Sequence, residues 1–194
     1  MTLKQLGVLL SISTAIGINI IPTKALAQEP SIQFSEAISQ GSCTIENQLA
    51  SDDGRTLAIA FKDFKSANGQ RNKCILRINT TIPSGFHVQD VQVLYQGSAE
   101  VASGGNTSLN RSYTFAGGAL GVAKAPPKIT KFTESNPLFQ EQDDLTVASA
   151  SCGGTGQLGM NMLAGSSQGS TIYVDTADVN AGDVRLHIDI VPCQ

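Results

Sequence analysis

Apolar and polar residues alternate along most of this chain, and short clusters of Gly, Ser, Thr and Asn interrupt the alternation. A period of two residues predicts β-strands, because successive side chains of a strand point to opposite faces. The clearest strands are predicted at Thr56–Phe64, Cys74–Ile82, Phe86–Gln96, Arg111–Gly117 and Val184–Val191. Weaker patterns predict strands at Ile129–Phe132, Leu145–Ala150, Leu158–Leu163 and Thr171–Val174.

The apolar phase changes inside the long strand that begins at Phe86. Phe86 and Val88 occupy one phase of the alternation, and Val91, Val93 and Tyr95 occupy the other. One extra residue in a strand produces such a change, so the pattern predicts a β-bulge.

Helical patterns are nearly absent after residue 27, and we expect an all-β fold. About nine or ten short strands predict an antiparallel β-sandwich. The segment Gly118–Asp144 has the least regular pattern, with three prolines and an acidic stretch at residues 141–144. We expect a long irregular loop there, interrupted by one short strand at residues 129–132, and such loops often carry function.

Residues 1–27 have the pattern of a secretory signal peptide. Lys4 supplies a positive charge, an apolar run of 16 residues extends over Leu6–Ile21, and Ala25-Leu26-Ala27 forms a cleavage site before Gln28. The run is shorter than the roughly 20 residues that span a bilayer, which favours a cleaved leader over the alternative, an uncleaved anchor. We therefore expect a secreted or periplasmic protein.

The remaining chain fits one domain by its length. We expect residues 28–42 to form a flexible N-terminal arm, with an added edge strand as the alternative, and residues 43–194 to form one disulfide-linked β-sandwich. No segment after the leader is long and apolar enough to predict a transmembrane span.

All four cysteines, Cys43, Cys74, Cys152 and Cys193, follow the predicted leader. An even number in an exported chain predicts two disulfides, and the spacings contain no C-x-x-C that would indicate a zinc or redox site. Three pairings are open. We favour Cys43 with Cys74 and Cys152 with Cys193, because these pairs crosslink the two halves of the chain separately.

The charge balance is acidic. Without Lys4 and Lys24 the chain has 11 basic and 16 acidic residues, a net charge of −5. This balance argues against nucleic acid as a partner, because phosphate binding needs clustered Lys and Arg. The acidic residues are scattered, so the negative charge indicates solubility. We also expect a monomer.

Two glycine-containing motifs match short functional patterns. Gly154–Gly159 reads G-x-G-x-x-G, but the helix that a dinucleotide fold requires does not follow, so we expect a glycine-rich connection and no cofactor. Gly165–Gly169 reads G-x-S-x-G, and Ser167, an aspartate at 175, 178 or 183, and His187 follow the order of an α/β-hydrolase triad. No helix is predicted after Ser167, and we assign no catalytic residue.

No metal site is predicted either. His87 and His187 are the only histidines, and residues 178–183 place oxygen ligands in a turn without the spacing of a calcium loop. The chain has no Trp, which weakens the case for a sugar-binding cleft with aromatic platforms. Tyr95, Tyr113 and Tyr173 are candidate platforms, although we expect them to pack in the core or on a strand surface.

A further set of features occurs in a fixed order over residues 41–194: Cys43, Asp53-Gly54, the strand 57–61 with Phe64, Cys74, Ile82-Pro83-Ser84-Gly85, Tyr95-Gln96-Gly97, Tyr113-Thr114-Phe115 and Cys152-Gly153-Gly154. In these features the chain resembles a family of small secreted proteins of unknown function from bacteria and fungi. The resemblance implies a secreted, disulfide-linked β domain, and it carries no established active site to transfer.

These observations favour a non-catalytic surface or envelope-associated interaction module, whose partner is an unidentified protein or an envelope polysaccharide. The first alternative is a secreted hydrolase of polysaccharide or ester substrates. The second is a secreted inhibitor that uses the 118–144 loop as its contact element.

Overall fold

The computed structural model describes residues 30–148, 150–174 and 184–194, without the side chains of residues 123 and 124. The predicted leader at residues 1–27 and the oxygen-rich segment 178–183 lie outside the described residues. The described elements are β1 (Gln33–Phe34), β2 (Ile38–Gly41), β3 (Ile45–Ala50), β4 (Thr56–Phe61), β5 (Lys65–Ala67), β6 (Arg71–Ile82), β7 (Phe86–Glu100), β8 (Thr107–Ala116), a 3-10 turn (Gly118–Leu120), β9 (Val122–Lys124), β10 (Lys128–Phe132), β11 (Asn136–Ala148), β12 (Gly154–Ser166), β13 (Thr171–Tyr173) and β14 (Val184–Pro192). No helix within these ranges is long and apolar enough to cross a membrane.

The strands form two antiparallel sheets. The six-stranded sheet has the order β1-β6-β12-β8-β10, and β2 also pairs with β6. The eight-stranded sheet has the order β3-β4-β14-β7-β11-β9, and β13 joins β5 to β7. The predicted antiparallel β-sandwich is therefore confirmed, with longer strands than the sequence indicated.

The core lies between the two sheets, and alternate positions supply it. Leu76 and Ile78 of β6 and Met160 of β12 belong to the same buried cluster as Val93 of β7 and Leu186 of β14. Intervening positions of β6 and β14 are exposed or half-buried. The period-two pattern thus marks which side chain of each strand enters the core.

The bulge predicted in the strand after Phe86 is present in β7. Asp189 of β14 pairs with Asp90, but the next residue, Ile190, pairs with Val88. Gln89 is therefore the extra residue, and it moves the inward phase of β7 by one position.

The expectation of a long loop over Gly118–Asp144 was wrong. This segment contains the 3-10 turn, β9 and β10, and β11 begins at Asn136. Along β11 the inward positions between buried Phe139 and Leu145 are taken by Glu141 and by buried Asp143. Acidic residues at inward positions removed the apolar alternation that would have identified the strand.

The prediction that residues 28–42 form a flexible arm was also wrong, because residues 33–34 and 38–41 pair with β6. Gln33 and Phe34 pair with Thr81 and Thr80, and residues 38–41 pair with residues 74–77, all in β6. The alternative of an added edge strand describes residues 33–41. The short β1 and β2 segments carry little apolar pattern, and pairing with β6 holds them.

The two disulfides have the favoured pairing. Cys43 pairs with Cys74 and Cys152 pairs with Cys193, with Cα–Cα distances of 5.4 and 6.0 Å. Cys74 lies in β6, and Cys193 directly follows β14. One bridge therefore attaches the N-terminal segment to the six-stranded sheet, and the other attaches the chain end to the segment before β12.

Candidate functional site

The G-x-G-x-x-G motif lies inside β12 and not before a helix. Its residues Gly154–Gly159 pair with β6, and from Gln157 onward they also pair with β8. A Cβ added to Gly156 would lie 2.6 Å from Cγ of Leu120, so the missing side chain makes room for the 3-10 turn. Gly156 of this motif therefore allows close packing between the central strand β12 and the 3-10 turn.

Ser167 and His187 have different partners. Oγ of Ser167 accepts a hydrogen bond from the backbone N–H of Asn106 at 2.8 Å. Nδ1 of His187 lies 2.9 Å from Oγ1 of Thr56, and its Nε2 lies 3.2 Å from Oδ1 of Asp189.

The register of β7 shows how far apart these two residues lie. Thr171, four residues after Ser167, pairs with Glu100, whereas His187 pairs with Gln92. Eight residues of an extended strand correspond to roughly 26 Å. The structure therefore does not bring Ser167 and His187 together as a nucleophile and its base.

The three tyrosines do not form a platform for a sugar ring. Tyr95 is fully buried, and its hydroxyl lies 2.9 Å from that of Tyr113, which packs against the core. Tyr173 is partly exposed in β13, with Nζ of Lys65 5.8 Å from its ring centre. Tyr95 and Tyr113 thus pack in or against the core and Tyr173 lies on a strand surface, as predicted for the three tyrosines.

A charged pair connects the two sheets inside the core. Arg111 of β8 is 3% exposed and Asp143 of β11 is 0% exposed. Nε of Arg111 donates to Oδ2 of Asp143 at 2.8 Å, and Nη2 donates to Oδ1 at 3.1 Å. The hydroxyl of Tyr113 also donates to Asp143, and Nζ of Lys128 lies 3.5 Å from Oδ1. Each oxygen of this buried carboxylate thus has two positively polarised partners.

The surroundings of Asp143 keep it ionised. Burial by itself raises the pKa of this carboxyl, but the hydrogen bonds from Arg111 and Tyr113 and the charges of Arg111 and Lys128 outweigh burial and lower the pKa. The same network raises the pKa of Tyr113, first through burial and then through its neighbours. A glycosidase acid needs a raised carboxyl pKa, so the chemistry of Asp143 fits a structural ion pair.

The outer polar face is the outward surface of the six-stranded sheet. Its residues are Arg71, Lys73, Ile75, Arg77, Asn79 and Thr81 on β6; Thr155, Gln157, Gly159, Asn161, Leu163 and Gly165 on β12; Ser108, Asn110, Ser112, Thr114 and Ala116 on β8; and Ile129 and Lys131 on β10. Apart from the two glycines, these residues are exposed or half-buried. In the described part of the chain this face exposes hydroxyl, amide and cationic groups together with three aliphatic side chains, Ile75, Leu163 and Ile129.

A shallow pocket lies at one end of the outer polar face. Its volume is about 440 Å³, within the range of small-ligand sites. The exposed or half-buried polar side chains in its lining are Ser35, Asn79, Thr81, Thr155 and Gln157, whereas the buried Thr80 donates its hydroxyl to the carbonyl of Gly156. Nε2 of Gln157 donates to Oδ1 of Asn79 at 2.8 Å, so the two amide side chains contact each other within the lining. The lining is uncharged and supplies both hydrogen-bond donors and acceptors.

Charge is divided between the two sheets. The strands of the six-stranded sheet contain six basic residues and no acidic residue: Arg71, Lys73, Arg77, Arg111, Lys128 and Lys131. The strands of the eight-stranded sheet contain three basic residues, Lys65, Lys124 and Arg185, and seven acidic residues: Glu46, Asp90, Glu100, Glu141, Asp143, Asp144 and Asp189. Arg111 and Lys128 contact Asp143, so the cations of the outward face are Arg71, Lys73, Arg77 and Lys131.

Sequence reasoning missed this face because the cations come from separate segments. Arg71, Lys73 and Arg77 lie on β6, whereas Lys131 lies on β10, at the other side of the sheet. The alternation within Cys74–Ile82 did place Arg77 and Asn79 on one face. The positions of β12 and β8 between β6 and β10 could not be read from the sequence.

No three His, Cys, Asp or Glu side chains are grouped as metal ligands within the described ranges. The aspartates at 175, 178 and 183 lie outside those ranges.

No curated protein matches this chain. One solved structure that is similar is TmCBM61 in complex with beta-1,4-galactotriose, with 11% identity over 81% of this chain and 89% of that chain and a TM-score of 0.31. That TM-score is too low to indicate a ligand for this protein. The model of a family described as a domain of unknown function, DUF4360, matches residues 39–193. The family resemblance of the sequence is therefore confirmed, and the chain belongs to the DUF4360 family.

Proposed function

We propose that this protein is an exported, non-catalytic module that binds a polysaccharide of the cell envelope through the outer polar face. The observation that carries the proposal is the pocket of uncharged hydroxyl and amide groups around Asn79 and Gln157. These groups can each donate or accept a hydrogen bond, which matches the donor and acceptor character of sugar hydroxyls.

The open, flat shape of this face favours an extended polymer over a small molecule. The pocket is continuous with the outward side chains of β6, β12 and β8, which run on from Asn79, Gln157 and Ala116. Small-molecule sites bury most of their ligand in a concave cavity, whereas a long chain gains affinity from many shallow contacts. A sheet surface suits the binding of a long chain through many shallow contacts.

Export is supported by the two disulfides, because such bonds persist in oxidising compartments. The proposal includes cleavage of the predicted leader after Ala27. N-terminal sequencing of protein recovered from outside the cytoplasm tests it: the expected first residue is Gln28, and an intact N-terminus would contradict cleavage.

Binding is tested by affinity electrophoresis of the purified protein in gels that contain dextran, soluble starch or polygalacturonate. We expect at least one polysaccharide to retard the protein, and Asn79→Ala/Gln157→Ala to reduce the retardation. Gln142→Ala is a matched control, because Gln142 is an exposed amide on the eight-stranded sheet. Equal retardation of both variants and the unmodified protein would exclude the pocket, and no retardation by any polymer would contradict the proposed function.

A further inference from the structure

We propose that the polysaccharide is acidic, and that Arg71, Lys73, Arg77 and Lys131 hold its carboxylate groups along the outer polar face. This inference rests on the proposed function and names the substrate class of the same face. Its basis is the position of the four cations relative to the uncharged pocket.

Three of the cations follow one line along β6. Arg71, Lys73 and Arg77 share the outward phase of this strand. Two residues of a strand span about 6.6 Å and four span about 13 Å, so the charges are spaced along the strand and not concentrated at one point. Asn79, at the pocket, is the next outward residue after Arg77.

The fourth cation lies across the sheet from the first. Arg71 pairs with Gly165, Gly165 with Ser108, and Ser108 with Lys131, so all four residues form one cross-strand row. Three strand spacings separate Arg71 from Lys131 by roughly 14 Å. A Cβ at Gly165 would lie 3.7 Å from Cγ of Arg71, so the stem of Arg71 lies over Gly165. The row therefore has one cation at each end, with the uncharged residues Gly165 and Ser108 between them.

These cations are available for a ligand. All four are exposed, and none takes part in an ion pair with another described residue. The six strands of the sheet contain no acidic residue that could neutralise them. Glu36 and Glu134 are exposed in the segments that follow β1 and β10, and neither forms an ion pair with these four cations. Exposed carboxylates of a partner are the natural complement of this face.

The other groups of the face favour a sugar polymer over other polyanions. Its outward residues include no aromatic ring, so neither bases nor sugar rings can stack there, and a ligand must bind through hydrogen bonds and charge. Four separated cations are few for the phosphates of a duplex. Amide and hydroxyl groups such as Asn161, Ser112 and Thr114 lie among the cations and can bond sugar hydroxyls.

The two ends of β6 therefore differ in what they recognise. The pocket end, with Asn79 and Thr81, is uncharged, Arg77 lies next to it, and the other end carries two cations, Arg71 and Lys73. A chain lying along β6 would have its hydroxyls bound at the pocket and its carboxylates bound further along.

The experiment compares the affinities of the purified protein for polygalacturonate and for uncharged dextran by isothermal titration calorimetry at several salt concentrations. We expect tighter binding of polygalacturonate and weaker binding as salt increases, because salt screens exposed charges. Arg71→Gln/Lys131→Gln is expected to weaken that binding by about tenfold and to flatten its salt dependence. Lys62→Gln is the control, because Lys62 is exposed at the end of β4 in the other sheet.

The outcomes separate this inference from the proposed function. Equal affinity for the two polymers, or a double variant that binds like the unmodified protein, would overturn the acidic-polysaccharide inference and leave polysaccharide binding intact. A single-stranded oligonucleotide or anionic vesicles that bind more tightly than polygalacturonate would also overturn it. Circular dichroism of each variant establishes that the fold is unchanged.

Discussion

Arg111 and Asp143 join the two sheets of this sandwich through two hydrogen bonds of 2.8 and 3.1 Å inside the core. Arg111 comes from β8 and Asp143 from β11, so the pair fixes the position of one sheet relative to the other. The guanidinium carbon also lies 5.2 Å from the ring centre of Tyr95, which covers the pair from the core side. The charges of these two buried side chains thus compensate each other.

Removing one partner of this pair should destabilise the fold strongly. Arg111→Met leaves a buried carboxylate without its main partner, and we expect the free energy of unfolding to fall by about 3–5 kcal/mol. Arg111→Met/Asp143→Leu removes both charges and should recover much of that loss. Urea denaturation measures both variants, and a double variant less stable than the single one would contradict this account of the pair.

Acid should weaken the protein through the same carboxylate. The pKa of Asp143 is lowered in the folded state, so its contribution to stability is complete above the pKa of the unfolded chain, about 3.9. The contribution is lost as the pH falls through the lower, folded pKa. Urea denaturation between pH 7 and pH 2.5 should show a smaller acid loss in Arg111→Met/Asp143→Leu than in the unmodified protein. The same loss of stability with falling pH in both proteins would contradict the role of Asp143 in this acid loss.

The two disulfides should differ in their reduction by dithiothreitol. Cys43 and Cys74 are both buried, whereas Cys152 is exposed and Cys193 is half-buried. Thiol attack requires access to a sulfur atom, so we expect Cys152–Cys193 to be reduced first under native conditions. Alkylation followed by peptide mass mapping identifies the reduced cysteines. Earlier labelling of Cys43 and Cys74 would contradict the prediction.

Loss of either bridge should also reduce stability. The bridges close segments with sequence separations of 31 and 41 residues. The chain-entropy model gives about 3–4 kcal/mol for each closed loop. We therefore expect Cys152→Ser/Cys193→Ser to shift the urea midpoint to a lower concentration without loss of the fold, and an unchanged midpoint would contradict this stabilisation.

The sequence predicted the elements whose burial follows simple alternation. The inward residues of β14, Val184, Leu186, Ile188 and Ile190, were identified because each intervening residue is polar or partly exposed. The bulge of β7 could also be found, since Val88 and Val91 lie in different phases. In these strands local pattern and tertiary burial agree.

The sequence could not identify elements that depend on contacts between distant residues. Asp143 is buried in β11 because Arg111, on another strand of the other sheet, neutralises it. Position 156 of the central strand β12 must be a glycine because Leu120 of the 3-10 turn packs against it. The outer polar face depends on the order β6-β12-β8-β10, which no single segment encodes.

The most direct test of the central claim, that the outer polar face binds an acidic polysaccharide, is a titration of the ¹⁵N-labelled protein with a short oligogalacturonate, followed by NMR. We predict that the largest shift changes occur at backbone amides of β6, β12 and β8 and at the side-chain amides of Asn79 and Gln157. Changes that cluster on β14 and β11 of the eight-stranded sheet, or no change at saturating oligosaccharide, would contradict the claim.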